Sequence, residues 1–271
     1  MNKLMEALKQ QKELLESQGY SVAYICIYGS QNYKLDIYTE DYKSDIDMKA
    51  IIVPNLDDLV FNSKPVSIAV DTEWGQCDIK DIRTYFQTLL KANPAYIETL
   101  FTKYYLVDEK FTEEFKQIFS MKEELVQALK AQFIRSLYGM MCEKEKALCH
   151  PYPSTAHKIE KFGYCGKQAH HIGRLNIMMR DYFLWNKTLE ESMCPDEKYR
   201  EVLIEYKLNI SPLDTVIENV KLTMTIAKRF KDEILSKIDE SKIDYSVKDK
   251  FIALSQDIIK NKITQEMRIT Q

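Results

Sequence analysis

Ser21–Tyr28 leaves this chain few ways to fold. The run Ser-Val-Ala-Tyr-Ile-Cys-Ile-Tyr is almost unbroken in its apolar character and ends on Gly29-Ser30. β-Branched and aromatic residues without polar alternation describe a strand covered on both faces, so other elements must flank a sheet on two sides. Gly29 permits a tight turn where the strand stops, and backbone N–H groups beside Ser30 are then free to meet phosphate oxygens.

The rest of the chain reads around that strand. Residues 2 to 17 place Leu4, Leu8 and Leu15 near one helical face, and Gly19 supplies the stop. Ser44 to Val53 reads as a second strand closed by Pro54-Asn55, with Asp45 and Asp47 near its start. Asp57 to Val60 reads as a short helix or turn, and Val66 to Gln76 as a third extended segment running into Cys77-Asp78-Ile79-Lys80-Asp81. Ile82, Phe86, Leu89 and Leu90 then recur at helical spacing, and Asn93-Pro94 breaks that helix before a short one with Ile97 and Leu100-Phe101. Beyond about residue 106 strand signals stop. Phe111 to Cys149 and Ala156 to Trp185 are helical in period, separated by His150-Pro151-Tyr152-Pro153. Ser211-Pro212 predicts an N-cap with proline at the first helical position, opening a helix to about Ile238, and Val247 to Ile263 a last one. The expectation is an α+β domain over residues 1–105 followed by an all-helical domain of about five helices over 106–271.

Composition excludes several classes. Hydrophobic residues make up 45% and charged residues 29%, and no apolar run approaches the roughly 20 residues of a membrane span. The opening Met-Asn-Lys-Leu-Met-Glu continues as a charged amphipathic helix, so a cytoplasmic protein without a membrane role is expected. Cysteines at 26, 77, 142, 149, 165 and 194 are too scattered for a disulfide framework. A zinc site from Cys149, His150, His157 and Cys165 lacks the Cys-x-x-Cys pair that would anchor it. Net charge is −3, with 11 Lys and Arg against 15 Asp and Glu in residues 1–105, and 27 against 26 in the rest. That balance argues against extensive duplex binding but permits grip on a short nucleic-acid end.

Asp45 and Asp47 are two apart, so on an extended strand both carboxylates share a face. Hard oxygen donors beside a phosphate-holding turn suit Mg²⁺ carrying a nucleoside triphosphate. Two such ions about 3.5–4 Å apart, Mg²⁺ or alternatively Mn²⁺, require a third carboxylate. Asp78 is the candidate, brought beside Asp47 if the second and third strands pair antiparallel, and it could also serve as base toward an attacking hydroxyl. Asp71, Glu73 and Asp81 are rivals, although Asp81 begins a helix and suits its positive end. The bland alternative is an ordinary turn followed by two aspartates on a solvated strand face.

Tyr28-Gly29-Ser30-Gln31-Asn32-Tyr33-Lys34-Leu35-Asp36, then Ser44-Asp45-Ile46-Asp47-Met48-Lys49-Ala50-Ile51, resembles the predicted nucleotidyltransferases of the DNA polymerase β superfamily, in the branch common in bacteria and phages. Lys91-Ala92-Asn93-Pro94 with Glu98 and Leu100-Phe101, and Lys167-x-Ala169-x-His171-x-x-Arg174-Leu175, are similar to two further motifs of that branch, so the resemblance covers roughly residues 20 to 180. It departs at Lys34, where the branch often has glycine, and in a longer spacer before Asp45. The resemblance implies a small mixed β-sheet flanked by helices, Gly29 and Ser30 at the phosphates, and Asp45, Asp47 and Asp78 at the metals. It leaves the acceptor open, with an RNA 3′ end first and a protein hydroxyl second. A non-catalytic descendant that binds nucleotide as a sensor is the remaining alternative, against which stands retention of both Asp45 and Asp47.

Lys167, His171 and Arg174 stand at i, i+4 and i+7 on one helical face, a basic stripe able to meet the triphosphate or acceptor, or else to pair with acidic residues. His170 falls on another face and reads as structural. Asn93 reads as a helix cap and Glu98 as a partner for a lysine. Tyr28, Tyr33 and Tyr38 lie close enough in sequence to the turn to stack on a base, with Tyr28 better suited to the core.

Overall fold

Helix α1 (Lys3–Ser17) stops at Gly19, where φ is +89°, and the chain enters β1 (Ser21–Tyr28). Val22 to Ile27 are all buried, as the apolar run predicts. The structure is a computed structural model describing residues 3–269. By internal contacts it divides into two compact units, one made of Met1–Asn32, Lys43–Leu129 and Ile243–Gln271, the other of Tyr33–Tyr42 and Lys130–Lys242.

In the first unit β1 is followed by β2 (Asp47–Val53), α2 (Leu56–Val60), β3 (Ser67–Asp71), β4 (Gln76–Asp81), α3 (Ile82–Leu90), α4 (Pro94–Ile97), β5 (Tyr105–Val107), α5 (Thr112–Ser120) and α6 (Lys122–Ala128). The strands form one sheet in the order β3-β4-β2-β1-β5. β1 runs antiparallel to β2 and β5, β2 runs parallel to β4, and β3 antiparallel to β4, so the sheet is mixed and the fold α+β. One face carries Val22, Ile25, Ile27, Met48, Ala50, Ile52, Cys77 and Ile79 against Ala7, Leu8 and Leu15 of α1. The period of two sends Tyr24, Cys26, Tyr28, Asp47, Lys49, Asp78 and Lys80 to the other face. There Tyr24 stacks on Phe115 of α5 at 5.2 Å, and its hydroxyl donates to Thr99 O at 2.6 Å.

The pairing of β2 with β4 corrects one expectation. The extended stretch after Val66 is a hairpin rather than one strand, because Thr72 closes a turn with Gly75: Thr72 N donates to Gly75 O at 2.7 Å, and Gly75 N to Thr72 Oγ1 at 3.1 Å. The neighbour of β2 is therefore the second arm, in parallel, and Asp78 registers with Lys49 instead of sitting beside Asp47 across an antiparallel pair. β2 itself begins at Asp47, so Asp45 lies in the loop before it. β5 escaped the sequence reading because three residues at a sheet edge, with Tyr105 exposed, display no alternation.

The second unit contains α7 (Lys130–Ala147), α8 (Ala156–Phe162), α9 (Gly166–Phe183), α10 (Leu189–Met193), α11 (Glu197–Lys207) and α12 (Leu213–Lys237). α9 is its axis and packs on α7, α10, α11 and α12. α11 approaches α9 at two glycines: a Cβ on Gly166 would lie 1.8 Å from Tyr206 O, and one on Gly173 2.7 Å from Leu203 Cδ2. The loop Tyr33–Tyr42 belongs to this unit, where Arg200 Nε donates to Lys34 O at 2.6 Å and Lys207 Nζ to Leu35 O at 3.2 Å. Asp181, fully buried, is answered by Arg180 and by Lys187 Nζ at 2.7 Å. α13 (Ser246–Ile269) returns to the first unit, packing on α3, α5, α6 and β2.

The helical half thus has more and shorter helices than the five expected. The stretch from Phe111 to Cys149 breaks at Met121, whose N–H is shared between the carbonyls of Gln117 and Ile118, and again at Leu129. The stretch from Ala156 to Trp185 breaks at Gly163, with φ +79°. Ser211 is not the cap of α12: Pro212 holds that place without a side-chain bond, and Ser211 O accepts the Tyr164 hydroxyl at 2.6 Å. Among the described residues no helix is long and apolar enough to cross a membrane.

Gly166→Ala is expected to destabilise the helical unit by roughly 1–3 kcal/mol or more, since a methyl group must displace the Tyr206 carbonyl. Chemical denaturation of wild type and variant measures it.

Candidate active site

Gly29 ends β1 in a left-handed conformation, φ +88°, that any side chain would strain. A tight turn follows, with Asn32 N donating to Gly29 O at 3.0 Å. Asn32 Nδ2 holds Ile27 O at 2.7 Å, and the Thr102 hydroxyl lies 2.8 Å from both Ile27 O and Asn32 Oδ1. Gln31, nearly buried, ties this turn to the next segment: its Nε2 donates to Asp45 O at 2.6 Å, while Ser30 Oγ reaches its Oε1 at 3.4 Å. The sequence reading missed Gln31 and Thr102; a polar residue directly after the turn and a threonine just before β5 were the only signals.

Tyr28 registers opposite Asp47, which sets the acid beside the turn; a Cβ on Gly29 would lie 3.8 Å from Asp47 Oδ2. Asp45 is exposed and Asp47 half-buried. The β3–β4 turn fits closely behind them. Ile46 N donates to Trp74 O at 2.8 Å, Gln76 N to Asp47 Oδ1 at 3.3 Å, and a Cβ on Gly75 would meet Ile46 O at 2.8 Å. The structure therefore assembles Gly29, Ser30, Asp45 and Asp47 around one strand junction.

Asp78 stands further along the same face. Its Oδ2 accepts Lys49 Nζ at 2.8 Å and the Tyr96 hydroxyl at 2.7 Å. Burial alone would raise the Asp78 carboxyl, but Lys49 and the Tyr96 hydroxyl outweigh it and hold it below the usual carboxylate value. Lys49 is 4% exposed and lies over two rings, Tyr28 at 4.1 Å and Tyr96 at 4.5 Å, which also carries Lys80 at 4.5 Å. Burial lowers Lys80 below the usual lysine value, with Asp78 opposing and Lys49 assisting. Tyr28 and Tyr96 are both raised, chiefly by burial and then by the nearby carboxylates. Neither Lys49 nor Tyr96 stood out in the sequence, because a lysine within an apolar strand carries no motif by itself.

Of the rival carboxylates, Asp81 caps α3, its Oδ1 accepting Arg83 N at 2.8 Å and its Oδ2 pairing with the Arg83 guanidinium at 2.6 Å. Asp71 ends β3 and Glu73 lies in the following turn, both exposed. Asn93 caps α4 through Oδ1, and Glu98 is buried at the start of a short 3₁₀ turn. Among the described residues no group of three or more His, Cys, Asp or Glu side chains is arranged to hold a metal ion, including Cys149, His150, His157 and Cys165. The donor chemistry of Asp45 and Asp47 is of the kind that suits a hard divalent cation, which would need its remaining ligands from other donors such as phosphate and water. Asp78, engaged by Lys49, does not complete a three-carboxylate set in this arrangement.

In the helical unit Lys167, His171 and Arg174 follow one face of α9 from exposed through half-buried to buried, so they are not a uniform surface stripe. The Arg174 guanidinium stacks 3.9 Å from the centre of the Tyr33 ring. Tyr38 is exposed. Lys34 has φ +56°, a conformation that favours glycine, and its side chain is exposed. His170 is buried and its Nδ1 lies 2.9 Å from Leu203 O, which can only accept, so Nδ1 carries the proton. Burial pushes His170 down to about 3 and His171 well below the ordinary value, with neighbouring Arg174 and Lys167 adding to both.

No protein-family model matches the chain, and no curated protein matches it either. It is similar in fold to the crystal structure of a nucleotidyltransferase-like protein from Exiguobacterium sibiricum 255-15, with a TM-score of 0.32 and 9% identity over 86% of this chain and 77% of that one. A similarity of that size assigns no activity.

Because the folded state keeps His170 neutral down to about pH 3 while the unfolded chain protonates near its ordinary value of 6.5, stability is fully present above about 6.5 and drains as pH falls toward 3. Thermal unfolding followed from pH 7 to 4 should show this slope, and His170→Gln should make it shallower, with the buried His171 keeping its own share.

Proposed function

We propose that this protein is a metal-dependent nucleotidyltransferase that moves a nucleoside monophosphate from a nucleoside triphosphate to an acceptor hydroxyl. The observation that carries the proposal is the placement of Gly29 against Asp47, with Asp45 two residues earlier: a turn offering backbone donors to phosphate abuts a pair of acidic oxygens.

Asp45 and Asp47 would hold Mg²⁺, or Mn²⁺ in its place, which when bound neutralises charge on the triphosphate and favours departure of pyrophosphate. The turn that follows Gly29, braced by Thr102 and Gln31, would offer the Ser30 N–H to phosphate oxygens, with the Ser30 hydroxyl exchanging its long contact to Gln31 Oε1 for a phosphate oxygen. The acceptor oxygen attacks the α-phosphorus, the bond from that phosphorus to the oxygen bridging to the β-phosphate breaks, and pyrophosphate leaves with the bonding pair. The hydroxyl proton passes to a carboxylate of the site or to water. Lys49 supplies fixed positive charge two residues beyond Asp47.

An RNA 3′ end is the proposed acceptor on the strength of the family resemblance; the charge balance only permits local grip on a strand end and argues against a long duplex track. Lys167, His171 and Arg174 are proposed to meet triphosphate or acceptor; with both imidazoles held neutral, the cationic contribution falls to Lys167 and Arg174. A protein hydroxyl is the alternative acceptor. The engagement of Asp78 by Lys49 favours one further reading, a module that binds nucleotide as a sensor without transferring it.

Incubation with Mg²⁺, each α-labelled triphosphate, and RNA or protein should release pyrophosphate and leave label on one acceptor. Asp47→Asn should lower the rate on the order of 100-fold or more while leaving the unfolding transition in place. Wild type that binds nucleotide yet releases no pyrophosphate with any acceptor would decide for the sensor.

A further inference from the structure

We infer that Lys49 occupies the electrostatic place of a second divalent cation, so that the site takes a single metal ion on Asp45 and Asp47 while Asp78 serves Lys49. The inference rests on the nucleotidyl-transfer proposal and concerns how that same site is charged.

The sheet itself locks the pair. β2 lies between β1 and β4, and the parallel ladder sets Lys49 directly beside Asp78, with Nζ 2.8 Å from Oδ2. Asp47 is one pleat period away along β2, about 6.6–6.8 Å at ordinary strand rise. A metal shared by Asp47 and Asp78 would have to draw Asp78 off a lysine that is 4% exposed and lies over the Tyr28 and Tyr96 rings at 4.1 and 4.5 Å. Stripped of its carboxylate, that ammonium would be a nearly buried charge facing only ring faces, and Tyr96 would lose the oxygen to which its hydroxyl donates. A divalent ion at Asp78 would also sit among the positive charges of Lys49 and Lys80, both directed at the Tyr96 ring.

What a second ion would contribute, positive charge near the departing phosphates, the buried lysine supplies without ligand exchange. Lys49 is in this sense a positioning residue for Asp78 and an electrostatic one for the site.

Counting bound Mn²⁺ by electron paramagnetic resonance, on the full chain saturated with a non-cleavable α,β-methylene nucleoside triphosphate, tests the inference. Wild type should bind one ion per protein–nucleotide complex, Asp78→Asn should still bind one, and Lys49→Met, by releasing Asp78, should bind two. Two ions on wild type, falling to one in Asp78→Asn, would overturn the inference and leave the transfer proposal standing. One ion on both wild type and a folded Lys49→Met would also overturn it, since Lys49 would then exclude nothing. No protein-bound ion on wild type, with nucleotide affinity unchanged in Asp47→Asn, would sink the transfer proposal itself. Should Lys49→Met fail to fold, wild type and Asp78→Asn decide between one ion and two.

Discussion

The antiparallel register of β1 and β2, with Tyr28 opposite Asp47, is the constraint from which the rest of the first unit follows. Because side chains alternate at every residue, a slip of one position would turn Asp47 and Lys49 onto α1 and put Met48 and Ala50 where the charges now stand. The apolar packing under the sheet therefore fixes the polar arrangement above it. The side chains of Leu8, Leu15, Ile25, Ile27 and Ile79 carry no polar group for the site, yet their burial decides which way Asp47 points.

The upper face is unusual for how much charge it shelters. Burying a lysine and half-burying an aspartate recovers its cost only where geometry is close and every polar atom is answered. Here the ammonium meets one carboxylate and two rings, and the carboxylate meets the ammonium and a phenol. Such a cluster is a poor means of adding stability. It is a good means of fixing where charge lies before any ligand arrives, which is what electrostatic catalysis requires.

Strong local signals were legible in the sequence, and pairings were not. β1 was readable residue for residue, since eight residues of one character bounded by glycines admit few alternatives, and Asp81 and Asn93 announced their capping roles by position. The hairpin at Thr72–Gly75 was not readable, because nothing local reveals that Thr72 Oγ1 will bond back to two amides; with it went the parallel pairing and the true neighbour of Asp78. Helical period ran straight through Met121 and Leu129, where apolar spacing persists although the helix is interrupted. Lys49 was invisible for a related reason, its meaning lying wholly in what two other strands and α4 put around it.

The compact units interleave along the chain: the sheet unit is left at Asn32, regained at Lys43, left again at Leu129 and regained only at Ile243. Its last helix lies against α3 and β2, with Phe251 6.3 Å from Phe86. During synthesis the strands emerge before the helical unit and the helix that covers part of them emerges after it, so the nascent sheet must wait through that whole unit with an apolar flank uncovered. The flank of the sheet is thus closed by residues that follow an entire intervening unit.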